Sequence, residues 1–166
     1  MHKNLRFAAP DADAIPIRLV PPDTALDDLT EVARGWAQHH GFSGTLAQIC
    51  ALPGSSGRPS MVLVGAGTAA DRRRQRFAIG HAIAGLPGAI YALTNPPEGA
   101  DGAEIALGYL FSTYRFDRYR NQGVAKAQLV APTGVDAARL ERIAAAEALT
   151  RDLINTPRRR YGPRRA

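Results

Sequence analysis

The stretch "VLVGAGTAAD" (62–71) has the spacing in this chain that comes nearest to a ligand-binding motif. Gly65, Gly67 and Ala70 follow an apolar run and precede helix-forming residues. Glycines placed this way can bring backbone N–H groups up to a pyrophosphate at a helix N-terminus. That use also requires an acid ~20 residues further on to hold a ribose. No Asp or Glu occurs between Asp71 and Glu98, so a tight strand-to-helix turn is the better reading.

The other reactive residue types are scattered. His2, His39, His40 and His81 have no spacing that makes paired metal ligands. His39 and His40 end a helical pattern, where imidazolium suits the helix dipole. Glu98, Asp101 and Glu104 surround the start of another helix, where acids are ordinary dipole partners. Cys50 lies in the apolar run "AQICAL" and reads as a small buried residue. Arg72, Arg73, Arg74 and Arg76 point around a helix rather than along one face, which favours a solvated surface. "YRFDRYR" (114–120) interleaves Tyr114, Phe116 and Tyr119 with Arg115, Arg118 and Arg120, a mixture able to stack bases but thin support for it alone.

The elements that position these residues alternate. Strands are expected at 14–21, 45–52, 60–67, 89–94 and 127–132, and helices at 23–41, 70–88, 101–120 and 136–156. Thr24 and Asp27 resemble a capping box for the first helix, with Leu26, Leu29, Val32, Ala33 and Trp36 as its apolar stripe. Ile105, Leu107, Gly108, Phe111 and Tyr114 form the stripe expected for the third helix. Leu140, Ile143, Leu149 and Leu153 form that of the last. Such alternation implies an α/β layered sheet.

Bulk properties narrow the classes. The 166 residues are 45% hydrophobic, as expected of one globular domain. No run of ~18 apolar residues could span a membrane, and the first residues lack the apolar core of a signal peptide. The net charge is +6, but Arg158, Arg159, Arg160, Arg164 and Arg165 supply five of those charges, leaving the body one charge from neutrality. Nucleic-acid binding is therefore expected only through this tail, with a log–log salt slope of about −4 to −5.

"LGYLFSTYRFDRYR", "AKAQLVAPTGVDAARLERIAAAEALTRDLINTP" and the "GP" at 162–163 resemble the end of the N-terminal domain of the leucyl aminopeptidase (cytosol aminopeptidase) family, most strongly over residues 105–157. The resemblance implies an α/β/α three-layer sandwich with a mixed sheet, similar to macro domains, that serves assembly rather than chemistry. It implies a cytoplasmic, hexameric, two-domain peptidase whose two divalent metals, zinc or manganese, lie in the other domain. The segment matching "ALTRDLINTP" leads through a linker into that domain.

None of the family's metal ligands or catalytic residues can be carried over. The only lysines are Lys3 and Lys126, and no Asp-x-Glu-Gly-Arg run occurs. The sequence leaves the family pattern after Pro157, where Arg158, Arg159, Arg160 and Tyr161 follow.

The expectation is thus a leucyl aminopeptidase N-terminal-like domain over 1–156 and a disordered Arg-rich tail over 157–166. No catalytic, cofactor-binding or metal residue is expected in this chain. Its partners would be the family's catalytic domain and further copies of itself. Binding of ADP-ribose near Gly65–Gly67 is the alternative. Three origins stay open for the chain: a fragment, a stand-alone domain, or a frameshifted product whose downstream DNA encodes the peptidase half in another frame.

Overall fold

The structure is a computed structural model that describes residues 5–55, 57–95, 101–116 and 126–156. In chain order the elements are β1 (Ile15–Val20), α1 (Glu31–His39), β2 (Ile49–Pro53), β3 (Pro59–Gly65), α2 (Ala69–Arg74), α3 (Ala78–Ala84), β4 (Ile90–Asn95), α4 (Gly102–Thr113), β5 (Gln128–Leu129) and α5 (Ala137–Asn155). The five strands form one sheet in the order β2-β3-β1-β4-β5. β2 runs antiparallel to β3, and every other pairing is parallel. The sheet is therefore mixed, as expected, and the fold is α/β.

Strand alternation sends side chains to two separate cores. Ile15, Ile17, Leu19, Val62, Val64, Tyr91 and Leu129 face one side, where they meet Ile79 and Ile83 of α3, Ile105, Tyr109 and Leu110 of α4, and Leu140 and Ala144 of α5. Val20, Cys50, Leu52 and Leu63 face the other side and meet Ala37 of α1. The Trp36 indole N–H donates to the Ala51 carbonyl at 3.1 Å, tying α1 to the edge strand β2.

Three expected helices differ from those observed. The first covers only 31–39, and residues 24–30 before it form turns and irregular chain. Its cap is Thr30, whose hydroxyl accepts from Ala33 N, rather than Thr24. Asp27 is bound to Arg34 instead, and Asp28 to Arg18. Of the expected stripe, Val32 is 74% exposed and Trp36 half-exposed, while Leu26, Leu29 and Ala33 pack on the small core.

The second expected helix is broken at Gln75 (φ −130°, ψ 63°) into α2 and α3. The break seats Gly80 against α4, where a Cβ would lie 2.3 Å from Ile105 O and Tyr109 N. The third ends at Thr113, with Tyr114 already extended. Its buried side chains are Ile105, Ala106, Gly108, Tyr109, Leu110 and Thr113, so Leu107, Phe111 and Tyr114 of the expected stripe are only partly covered. The expected continuation to 120 passes outside the described residues. The last helix has nearly its expected span, with Asp136 as cap accepting from Arg139 N at 2.9 Å. The Arg-rich segment 157–166 lies outside the described residues.

Candidate functional site

The two segments that carry the family resemblance meet in space. α4 stops at Thr113, and α5 passes beside that end, so Tyr114 donates its hydroxyl hydrogen to Asp152 Oδ1 at 2.7 Å. Loss of solvation, helped by the neighbouring Asp152 carboxylate, raises the Tyr114 pKa above the usual phenol value and keeps the group a donor. The Arg151 guanidinium lies 5.7 Å from the Phe111 ring centroid and 5.5 Å from that of Tyr114. It also donates to Glu147 Oε1 at 3.0 Å and to the Phe111 carbonyl at 3.3 Å. Cation–π contact and charged hydrogen bonds together clamp the end of α5 to the end of α4. The chemistry of this clamp is positioning.

What it positions is the outward face of α5. Leu140, Ala144 and Ala148 are buried at four-residue spacing against the rest of the domain. Leu149, Leu153 and Ile154 are 59%, 50% and 77% exposed. This corrects the stripe expected from sequence, of which only Leu140 enters the core. Two stripes with helical spacing coexist on this helix, and the one built from alanines lets the helix approach closely enough to pack. The Leu-x3-Ala-x3-Ala row was the signal available in the sequence. Side-chain size pointed the other way.

The glycine-rich turn has a structural occupation. Gly65 N donates to Gln48 O at 2.7 Å, Ala66 N to Val20 O at 2.8 Å and Gly67 N to Gly44 O at 3.0 Å. Thr68 N donates to Asp71 Oδ2 in a capping box. The donors that would cradle a pyrophosphate are thus spent on protein oxygens. A Cβ on Gly65 would lie 1.8 Å from Thr45 O, and one on Gly67 2.6 Å from Leu46 Cβ, so both glycines serve the close approach of residues 44–46. This geometry disfavours the ADP-ribose reading.

The remaining candidates are dispersed. The His40 ring lies tilted against that of Trp36 with centroids 4.5 Å apart, and its Nδ1 is 2.9 Å from Trp36 O. His39 is its edge-on neighbour. The Nδ1 of His81 is 3.2 Å from Ser112 Oγ. Asp101 caps α4 by accepting from Ala103 N, and Glu104 accepts two bonds from Arg76 at 2.8 and 2.7 Å. Cys50 is buried, and desolvation raises its thiol pKa. Arg72 donates to the carbonyls of Ala66 and Gly67, and Arg115 to those of Ser112 and Tyr114. His2, Glu98, Arg118, Tyr119 and Arg120 lie outside the described residues. Among the described residues no three His, Cys, Asp or Glu side chains converge to hold an ion. No described helix is long and apolar enough to cross a membrane.

A family model described as M17 aminopeptidase, N-terminal domain, matches residues 15–132. A probable cytosol aminopeptidase of Leifsonia xyli subsp. xyli (strain CTCB07) is 31% identical over 130 residues, which are 70% of this chain and 26% of that protein. The cytosol aminopeptidase from Coxiella burnetii superposes with a TM-score of 0.79 at 26% identity, over 92% of this chain and 34% of that one. A tomato leucine aminopeptidase shares the fold at TM-score 0.53 and 19% identity, over 92% of this chain and 40% of that one. The chain therefore spans well under half the length of these relatives. The matched span runs from β1 through β5, so the chain belongs to the M17 aminopeptidase family, as its N-terminal domain.

Proposed function

We propose that residues 1–156 act as the non-catalytic assembly domain of a leucyl aminopeptidase-like dimetal peptidase, with 157–166 a separate Arg-rich tail. The exposed row Leu149, Leu153 and Ile154 carries this reading. Adjacent large aliphatic side chains on a clamped helix are a surface prepared for a partner, and covering the part of each still exposed contributes roughly 1–2 kcal/mol. The partner is the family's catalytic domain, met in a cytoplasmic homo-oligomer, a hexamer by family resemblance. Release of N-terminal amino acids from peptides, and the two zinc or manganese ions it uses, belong to that domain. The described residues offer no donor set that fits either ion, so no chemical step is assigned to them.

Two experiments test the reading. The purified chain should not hydrolyse leucine-p-nitroanilide with added zinc or manganese, and metal-responsive turnover that follows the chain would overturn the non-catalytic role. A chimera carrying this domain in place of the matched part of the Coxiella enzyme should assemble and be active. Leu149→Asp with Leu153→Asp should disrupt that assembly while leaving the isolated domain folded. If the double variant assembles normally, the α5 face is not the docking surface.

A further inference from the structure

A second surface lies where the α2–α3 turn faces the start of the edge strand β2. Here an open groove of about 910 Å³ is lined by Ile49, Arg73, Arg74, Phe77, Ala78 and His81, among others. Ile49 is 41% exposed and Phe77 40% exposed, and Ala47 and Ala82 extend the apolar floor between them. Large apolar side chains half open to water on a concave surface are an unusual arrangement.

The charged side chains that line this floor are arginines. Among the described residues no Asp or Glu lines the groove. Among the four clustered arginines, Arg72 is held by two backbone carbonyls and Arg76 by Glu104. Arg73 and Arg74 are exposed, and among the described residues neither has a hydrogen bond or an ion pair of its own. Of the acids close by, Asp71 feels the positive charge of Arg74 and Arg72 but is engaged by Thr68 in the helix cap, Asp101 caps α4 and Glu104 is held by Arg76. The rim thus offers two guanidinium groups suited to carboxylates, beside a floor suited to aliphatic or aromatic side chains.

We propose that this groove docks an acidic peptide segment of a partner protein, with apolar side chains seated on Ile49 and Phe77 and flanking carboxylates paired with Arg73 and Arg74. Charge complementarity selects the sign of the partner, and the apolar floor selects an amphipathic segment over a purely anionic one. A nucleic acid fits less well. The Phe77 ring is braced near-perpendicular to Phe111 with centroids 5.4 Å apart and has the Arg76 guanidinium 5.9 Å from its centroid, and Ala47, Ile49 and Ala82 are aliphatic.

The test is fluorescence anisotropy of the 166-residue chain with a labelled twelve-residue peptide of glutamates interspersed with leucines. Three control probes are the same peptide with Lys for Glu, the same with Ser for Leu, and oligothymidylate. The first peptide should bind at least about fivefold more tightly than each control. Arg73→Glu with Arg74→Glu should weaken it about tenfold or more. Ile49→Ser should weaken it severalfold while leaving the affinity for the Ser-for-Leu peptide unchanged. Circular dichroism confirms that these variants fold, and Arg74→Gln alone should give an intermediate loss. Equal binding of the Ser-for-Leu peptide, tighter binding of oligothymidylate, retained affinity in the folded double variant, or no binding by the chain would each overturn the proposal.

Discussion

The two faces of the sheet are covered to different depths. Among the described residues, α3, α4 and α5 help build a core of eighteen buried residues on one face, whereas α1 adds Ala37 to a core of five on the other. Helix packing dominates the deep side, to the point that Gly80 and Gly108 let α3 and α4 approach at backbone distance. The shallow side relies on polar ties at its rim: Arg18 to Asp28, Arg34 to Asp27, and the Trp36 indole to Ala51 O. Stability should therefore reside mainly in the deep layer, while the shallow layer should tolerate substitution.

The largest expected contrast is between two glycines. Gly80→Val would drive side-chain atoms into the α4 backbone, with the Cβ already 2.3 Å from Ile105 O, and should cost more than about 4 kcal/mol or abolish cooperative folding. Gly35, inside α1, faces open space, and a Cβ there would meet nothing within 4 Å. Gly35→Ala should therefore stabilise by about 0.5–1 kcal/mol. Urea unfolding of both variants checks the pair, and similar losses for the two would break the contrast.

Truncations give the next effect. Leu110 is fully buried in the deep core, and Leu110→Ala should cost about 2–5 kcal/mol. Val32 is mostly exposed on α1, and Val32→Ala should stay within about 0.5 kcal/mol. The shift in denaturation midpoint measures each one.

The clamp between α4 and α5 should yield about 1 kcal/mol for Tyr114→Phe, which removes the bond to Asp152. Arg151→Met should cost somewhat more, because it removes the ring contacts along with the bonds to Glu147 and Phe111 O. Amide exchange should quicken in the last two turns of α5 before it changes elsewhere.

The smallest effect is electrostatic. The hydrogen bond from the Thr68 hydroxyl, followed by its backbone N–H, lowers the Asp71 pKa below 3.8. A depressed folded-state pKa means the stabilisation is present above the unfolded value and is lost as pH falls through the folded one. Thr68→Ala should move the Asp71 titration upward, toward the ordinary carboxylate value, and should cost more stability at neutral pH, where the carboxylate is charged, than in acid. A carboxyl titration followed by NMR decides it.

Most of the sheet was legible because strand composition is a local property, although β2 begins only at Ile49 rather than at 45 and β5 covers only 128–129 of the expected 127–132. The run "AIPIRLVP", stopped by Pro21 and Pro22, places β1 within one residue of each end. α5 was equally plain, since its Ala-, Leu-, Glu- and Arg-rich run and its Asp136 cap act within one helix. Residues 70–88 misled because helix propensity continues through Gln75. What stops the helix there is remote in sequence: Glu104 holds Arg76, and the backbone of α4 meets Gly80.

Local chemistry thus determined the order of strands and helices apart from the break at Gln75, the alternation that makes an α/β sheet, and the family to which their residues belong. Tertiary structure decided which side of each element faces inward. Leu149 and Leu153 have the spacing of core residues, yet Ala144 and Ala148 are the ones buried. Arg73 and Arg74 are indistinguishable from Arg72 and Arg76 until the last two are seen to be bound. Periodicity reports that a helix has a buried stripe, but two stripes of equal spacing are told apart only by the neighbour that one of them fits, and that neighbour lies far away along the chain.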